Sequence, residues 1–196
     1  MSVDIAHVEA ATHPPLLTKG LQGIGGSLKR EPEDFQVVEI PAYMPSGSGD
    51  HLWITVEKRN LAHGEMLNRI AHILNISPNS IGYAGAKDKR AITRQAMTLP
   101  GDTESQIKEI EAEDLKVLDV DRHEHRIRKG HLRANSFSLT VHEVVPEAED
   151  HARQILEALT PVGFPNYFGM QRFGTRADNI ARGLKLLGLM AEGKKV

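Results

Sequence analysis

Asp88 is the one acid in a run of cations, Lys87, Lys89, Arg90 and Arg94, and the run follows a loop carrying Gly82 and Gly85. Cations within a few ångströms keep a carboxylate ionised, the state required of a nucleophile or an electrostatic stabiliser. Glycines ahead of it let a backbone or a ligand approach closely. The same pattern also describes an exposed salt bridge at a strand edge, and charge alone leaves both readings open. Other chemistry-bearing patterns fail on spacing. Gly23-Ile24-Gly25-Gly26-Ser27-Leu28-Lys29 lacks the gap between glycines and the Gly-Lys-Ser/Thr ending of a phosphate loop. The ten histidines include no His-Glu-x-x-His, and His123-Glu124-His125 reads as a basic patch rather than a zinc site. A Gly-x-Ser-x-Gly elbow is absent, as is cysteine, which removes serine-hydrolase chemistry, disulfides and thiol nucleophiles together.

The elements that must position Asp88 are legible from periodicity. Asp34 to Ile40 is a β-rich stretch ended by Pro41, and Pro45 to Asp50 is a turn cluster. His51 to Lys58 alternates Leu52, Ile54 and Val56 with Trp53, Thr55 and Glu57, as a half-buried strand does. Leu61, Met66, Leu67, Ile70, Ala71 and Leu74 then recur at helical spacing, with Asn60 as N-cap and Pro78 closing the segment. Ile81 to Ala86 reads as a glycine-bearing loop and Ala91 to Leu99 as a strand. Thr103-x-x-Gln106 predicts a capping box on a short acidic helix. Leu115–Asp121, Arg126–Arg128 and Ser136–Val145 are further strand expectations; a helix with Pro146 at its first position follows, and another runs from about Ala177 to Met190. This order predicts an α+β fold with a largely antiparallel sheet flanked by helices.

Composition narrows the class. The 196 residues are 40% hydrophobic and 26% charged, an ordinary globular balance. Net charge is −2, so charge alone would not coat a nucleic acid, but its distribution is uneven: Asp102 to Asp121 sums to −6 and Arg122 to Arg133 to +4. The longest apolar run, Leu186 to Ala191, is far short of the roughly 18 residues of a membrane helix, and Asp4 and Glu9 occupy the start where a secretion signal is basic. A cytoplasmic protein with no membrane partner is the expectation.

Four ordered stretches carry a resemblance. Gly82-Tyr83-Ala84-Gly85-Ala86-Lys87-Asp88-Lys89-Arg90-Ala91-Ile92-Thr93-Arg94-Gln95 resembles the catalytic motif of the TruD family of tRNA pseudouridine synthases. Lys29-Arg30-Glu31-Pro32-Glu33-Asp34-Phe35-Gln36-Val37-Val38-Glu39 is similar to the family's N-terminal signature. Leu132-Arg133-Ala134-Asn135-Ser136-Phe137 resembles its Leu-x-Gly-Asn-x-Phe, with Ala134 replacing glycine, and Asn166 to Gly174 its Asn-Tyr-Phe-Gly-x-Gln-Arg-Phe-Gly.

The resemblance implies a pseudouridine synthase-like catalytic domain over 29–196, with 1–28 as an irregular lead-in. It implies a tRNA substrate, the D-stem uridine U13 as target, and isomerisation to pseudouridine without a cofactor, a nucleotide or a metal. It makes Asp88 the catalytic residue, places Phe35 and Asn135 against the substrate nucleotide, stacks Phe137 on the target base and sets Lys29 near the active site. Read without it, Phe137 is a core residue and Asn135 a turn residue. Lys87, Lys89, Arg90, Arg126 and Arg128 are the expected RNA phosphate contacts. In the family, an inserted domain and a return to the sheet follow the fourth motif, whereas 22 residues follow Gly174 here. The expectation is a truncated catalytic domain, weak or inactive alone, whose partner is the missing C-terminal portion or another copy. The competing readings are a catalytically inactive RNA-binding fragment and, from another class, a zinc hydrolase built on the histidines.

Overall fold

Strand β3 (His51–Arg59) shows why the sheet forms where it does: Leu52, Ile54 and Val56 are fully buried on one face while Trp53, 3% exposed, is buried on the other. Such a strand is interior to a sheet covered on both sides. The computed structural model describes residues 16–163 and 179–193, and divides the chain into two units, Gly25–Val144 and the residues before and after it.

In the Gly25–Val144 unit, β1 (Gly25–Leu28) pairs antiparallel with β8 (Val141–Val144). A second sheet has the order β6-β3-β5-β2-β7, formed by β2 (Phe35–Pro41), β3, β5 (Ile92–Pro100), β6 (Leu115–His123) and β7 (Leu132–Leu139). The pairs are antiparallel except β2 with β5, which is parallel. The short β4 (Gly82–Tyr83) also pairs with β5, at Met97 and Thr98, whereas β2 pairs with it at Ile92 to Arg94. At Ala96, between these two neighbours, the backbone N–H donates instead to the Glu39 carboxylate at 3.3 Å. A strand edge that changes partner leaves a donor to satisfy, and a side chain satisfies it here.

Helix α1 (His63–Ile73) lays Met66, Ile70 and Ala71 on the face that carries Leu52, Ile54, Val56, Met97 and Leu99, and these form the main core. Each fully buried Leu or Ile contributes about 2 kcal/mol to the folded state. Arg69 donates to Asp114 at 2.6 Å and ties the helix to the turn before β6. Trp53, Ala84, Ala96 and Ile127 form a smaller core with Tyr43 and Leu132. The other unit contains α2 (Ala148–Leu159) and α3 (Asn179–Ala191). Among the described residues no helix is long and apolar enough to cross a membrane.

The α+β, largely antiparallel expectation holds, with local corrections. Arg126–Arg128 is not a strand: Ile127 N–H donates to Thr98 Oγ1 and Arg126 Nη2 to the Ile81 carbonyl, so side chains rather than a ladder hold it. Ser136–Val145 is two strands in different sheets, β7 and β8. Gly82–Tyr83, read as loop, pairs as β4, and Gly25–Leu28 forms β1. Asn60 does not cap α1; it takes a left-handed φ of 50°, and the cap position is Ala62. Thr103 makes no capping box, because its hydroxyl donates to the Pro100 carbonyl and the segment is a 3-10 helix. Pro146 sits in a turn two residues ahead of α2. The Asn166–Gly174 motif lies outside the described residues.

Candidate active site

The loop 84–91 joins β4 to β5 and is pinned along its length. Gly82 at its entry is obligatory, since a Cβ there would stand 2.7 Å from the Ile127 carbonyl oxygen. Gly130 N–H donates to the Ala84 carbonyl and Gln95 Nε2 to that of Gly85. Arg90 Nη2 donates to the Arg30 carbonyl at 2.6 Å. Lys58, 1% exposed at the end of the Leu52-Ile54-Val56 face, donates from Nζ to the main-chain carbonyl of Asp88. Burial brings the Lys58 ammonium down to about 8, with the Asp88 charge opposing and the Lys87 charge adding to the fall.

Lys87 turns inward and pairs with Glu39, the two side chains 6% and 1% exposed. A buried ion pair of this kind survives only where hydrogen bonds complete it, and the Ala96 N–H supplies one. The alternation of loop residues then sends Asp88 the other way, leaving its side chain 44% exposed. Lys87 as a phosphate contact is therefore corrected: its ammonium is committed inside the protein. Lys89 is exposed, Arg90 is held on Arg30, and Arg94 pairs with Glu57.

The cation that does face Asp88 is Lys29, with Nζ 3.9 Å from Oδ1. Lys29 has a left-handed φ of 57°, and its Nζ also lies 3.6 Å from the centroid of the Phe35 ring. Phe35 meets Phe137 edge-on, with centroids 6.0 Å apart. Register explains the rest: Val37 pairs with Phe137 and Glu39 with Asn135, so Phe35, Glu39, Asn135 and Phe137 share one face. Phe137 is 57% exposed, which rules out the core reading, and Asn135 lies in a strand rather than a turn. Asp88, Lys29, Phe35 and Phe137 thus form one chain of contacts, with Asn135 beside them.

Beneath these groups the same face is polar. Thr93 and Gln95 of β5 stand opposite Lys58 and Val56 of β3. Thr93 Oγ1 and Asn135 Oδ1 are buried without a hydrogen-bond partner among the described residues, and the Gln95 amide and the His63 ring interact with each other there. Buried polar atoms are nearly always satisfied, and this face carries two, on Thr93 and Asn135, that are not satisfied from within the described residues. His63 at the start of α1 packs edge-on against Tyr83, centroids 4.6 Å apart. Burial, with the Lys58 and Lys87 charges adding to it, lowers its imidazole to about 4, so it is neutral at pH 7.

Glu39, Lys58, Gln95 and His63 received no role from sequence reasoning. Two of them left a signal: Glu39 continues the inward positions of Phe35 and Val37, and Lys58 those of Leu52, Ile54 and Val56. A charge at an inward strand position needs a partner, and both find one at the Asp88 loop. As to metal, no group of three or more His, Asp or Glu among the described residues could hold an ion. His123 ends β6 buried against Tyr43 and Trp53, and the exposed His125 ring meets it edge-on with centroids 6.3 Å apart.

Comparisons with known proteins agree with this frame. The family described as tRNA pseudouridine synthase D (TruD) matches residues 14–188. A tRNA pseudouridine synthase D of Anaeromyxobacter sp. (strain Fw109-5) is 44% identical over 178 residues, 90% of this chain and 50% of the relative. That of Geobacter sulfurreducens is 40% identical over 87% of this chain and 42% of its own length. A crystal structure assigned to tRNA pseudouridine synthase D of Methanosarcina mazei superposes with a TM-score of 0.75 at 32% identity, over 89% of this chain and 40% of that one. The chain spans about half the length of the curated relatives it matches. The matched range spans both sheets and the Asp88 loop, and the chain belongs to the TruD family of tRNA pseudouridine synthases.

Proposed function

We propose that this chain carries the base-isomerising site of a tRNA pseudouridine synthase, with Asp88 as its catalytic residue and the D-stem uridine U13 as its target. The observation that carries the reading is the exposed Asp88 carboxylate linked through Lys29 and Phe35 to the exposed Phe137 ring, above a face of unpartnered buried polar atoms. The reaction breaks N1–C1′, turns the base and forms C5–C1′; C5 gives up its proton and N1 gains one, with no redox change.

A uridine reaches a carboxylate only after leaving its stack, and an extruded base takes an aromatic face and polar partners for its edge. Phe137 offers the face, and the amides of Asn135 and Gln95 offer partners from the floor. Asp88 acts on C1′ or assists base departure and proton removal, and Lys29 keeps its charge accompanied until substrate arrives. Lys58 and the Lys87–Glu39 pair are positioning residues: they fix the loop backbone on either side of the carboxylate. Lys89, Arg126 and Arg128 lie exposed to take up phosphates, and the RNA partner is tRNA.

The test is tritium release from tRNA labelled as 5-³H-uridine, run beside tRNA binding by anisotropy. Release at one equivalent per tRNA supports the reading. Binding without release from this chain, restored by adding the C-terminal half of a relative, supports a site completed from elsewhere. No binding and no release would overturn it.

A further inference from the structure

A cavity of about 610 Å³ opens between helix α1, residues 78–83 and the loop 126–129. Neither Asp88 nor Lys29, Phe35, Asn135 or Phe137 lines it. Its wall carries the amides Asn68 and Asn79, the ring of Tyr83 and the cations Arg126, Arg128 and Lys129, with no acid. None of the three cations pairs with a carboxylate among the described residues. Arg126 donates Nη2 to the Ile81 carbonyl at 2.8 Å, which fixes the guanidinium against the wall without neutralising it. The side-chain amides of Asn68 and Asn79 likewise have no hydrogen-bond partner among the described residues.

Three uncompensated cations call for an anion, and Arg and Lys serve phosphate best. The two amides, exposed on the wall and not tied to other side chains, can meet a group with matched donors and acceptors, as base edges present to asparagine. The volume falls within the range of small-ligand sites. The position adds the direction. Tyr83 lines the cavity, and Asp88 lies five residues on, a chain length that spans at most about 18 Å. The Gly130 N–H to Ala84 carbonyl bond couples the loop after Lys129 to the start of the Asp88 loop. One RNA strand bridges that interval within a few nucleotides.

We propose that this cavity is a subsite for a nucleotide flanking the target uridine, its phosphate held by Arg128 and Lys129 and its base edge read by Asn68 and Asn79. The proposal rests on the RNA-modifying reading above and supplies a source of sequence preference that phosphate contacts cannot give.

The experiment is a ¹H–¹⁵N titration of the chain with the 5′-phosphorylated dinucleotides pUpA, pUpC, pUpG and pUpU. The side-chain amide signals are assigned from Asn68→Asp and Asn79→Asp. Saturable shifts of both amides are expected, with affinities differing at least about fivefold among the four, the lower end of one amide–base pair. Arg128→Glu with Lys129→Glu, both exposed, removes the shifts, and Asn68→Ala with Asn79→Ala flattens the preference. Identical shifts with inorganic phosphate alone would overturn the subsite as an anion site only. Still amides beside a shifting Asp88 loop would overturn it while leaving the RNA reading intact. A spectrum that neither dinucleotide nor tRNA moves would remove both.

Discussion

Replacing Glu39 by leucine tests how the Asp88 loop is held. The substitution leaves the Lys87 ammonium, 6% exposed, without its counter-charge and takes the acceptor from the Ala96 N–H. Breaking a buried pair from one side costs about 3–5 kcal/mol, and the orphaned N–H belongs to the same network, so the two losses do not simply add. We expect about 4 kcal/mol, against a total stability of about 5–15 kcal/mol, and a fall in Tm of roughly 10–15 °C. Glu39→Leu combined with Lys87→Met removes both charges and is expected to recover to within about 2 kcal/mol of the parent. Urea unfolding read by Trp53 suits the test, because it is the one tryptophan, is 3% exposed, and sits 5.9 Å from the Tyr43 ring. A single-variant cost under about 1 kcal/mol, with the double variant simply additive, would refute the argument that this pair holds the loop.

Phe137→Ala is expected to leave stability within about 1 kcal/mol, since the ring is 57% exposed, while losing about 1–3 kcal/mol of base stacking in turnover. Urea midpoints and tritium release read the two effects, and equal losses would contradict the stacking role. Because His63 is held near 4 in the folded protein, the unfolded chain alone takes up its proton below pH 6.5. Stability should therefore fall as pH drops from about 6.5 to about 4 and level off below. The ceiling is about 3 kcal/mol, reduced to about 1–2 by solvent at this half-buried ring. Unfolding curves of His63→Leu that track the parent across this window would refute it. Charge reversal at Arg126 and Arg128 is expected to lower the slope of log affinity for tRNA against log salt by roughly 1.5–2, equally for all tRNAs. An unchanged slope would show that this face does not meet RNA.

Much of the frame was legible because periodicity and burial agree: the alternation of Leu52, Ile54 and Val56, and the helical recurrence of Met66, Ile70 and Ala71, are the core itself. The errors fall where side chains outside the pattern decide the backbone. Arg126–Arg128 has β-like neighbours in sequence, but Thr98 and Ile81 capture its hydrogen bonds. Around Asp88 the sign of the charge was legible and the direction of each side chain was not. Lys87, adjacent in sequence, points into Glu39, whereas Lys29, 59 positions away, faces the carboxylate. Local charge counting cannot see a partner brought by β2 and the turn before it. Glu39 and Lys58 show the complementary lesson, since a charge on an inward strand position announces a buried interaction before its partner is known.

The most direct measurement is tritium release by Asp88→Asn set against its tRNA affinity, with the C-terminal half of a relative added if the parent chain needs it. The amide keeps the shape of the carboxylate and its neighbours while losing the charge beside Lys29. The account predicts release abolished and affinity within a few fold of the parent. Turnover at the parent rate by Asp88→Asn would contradict it.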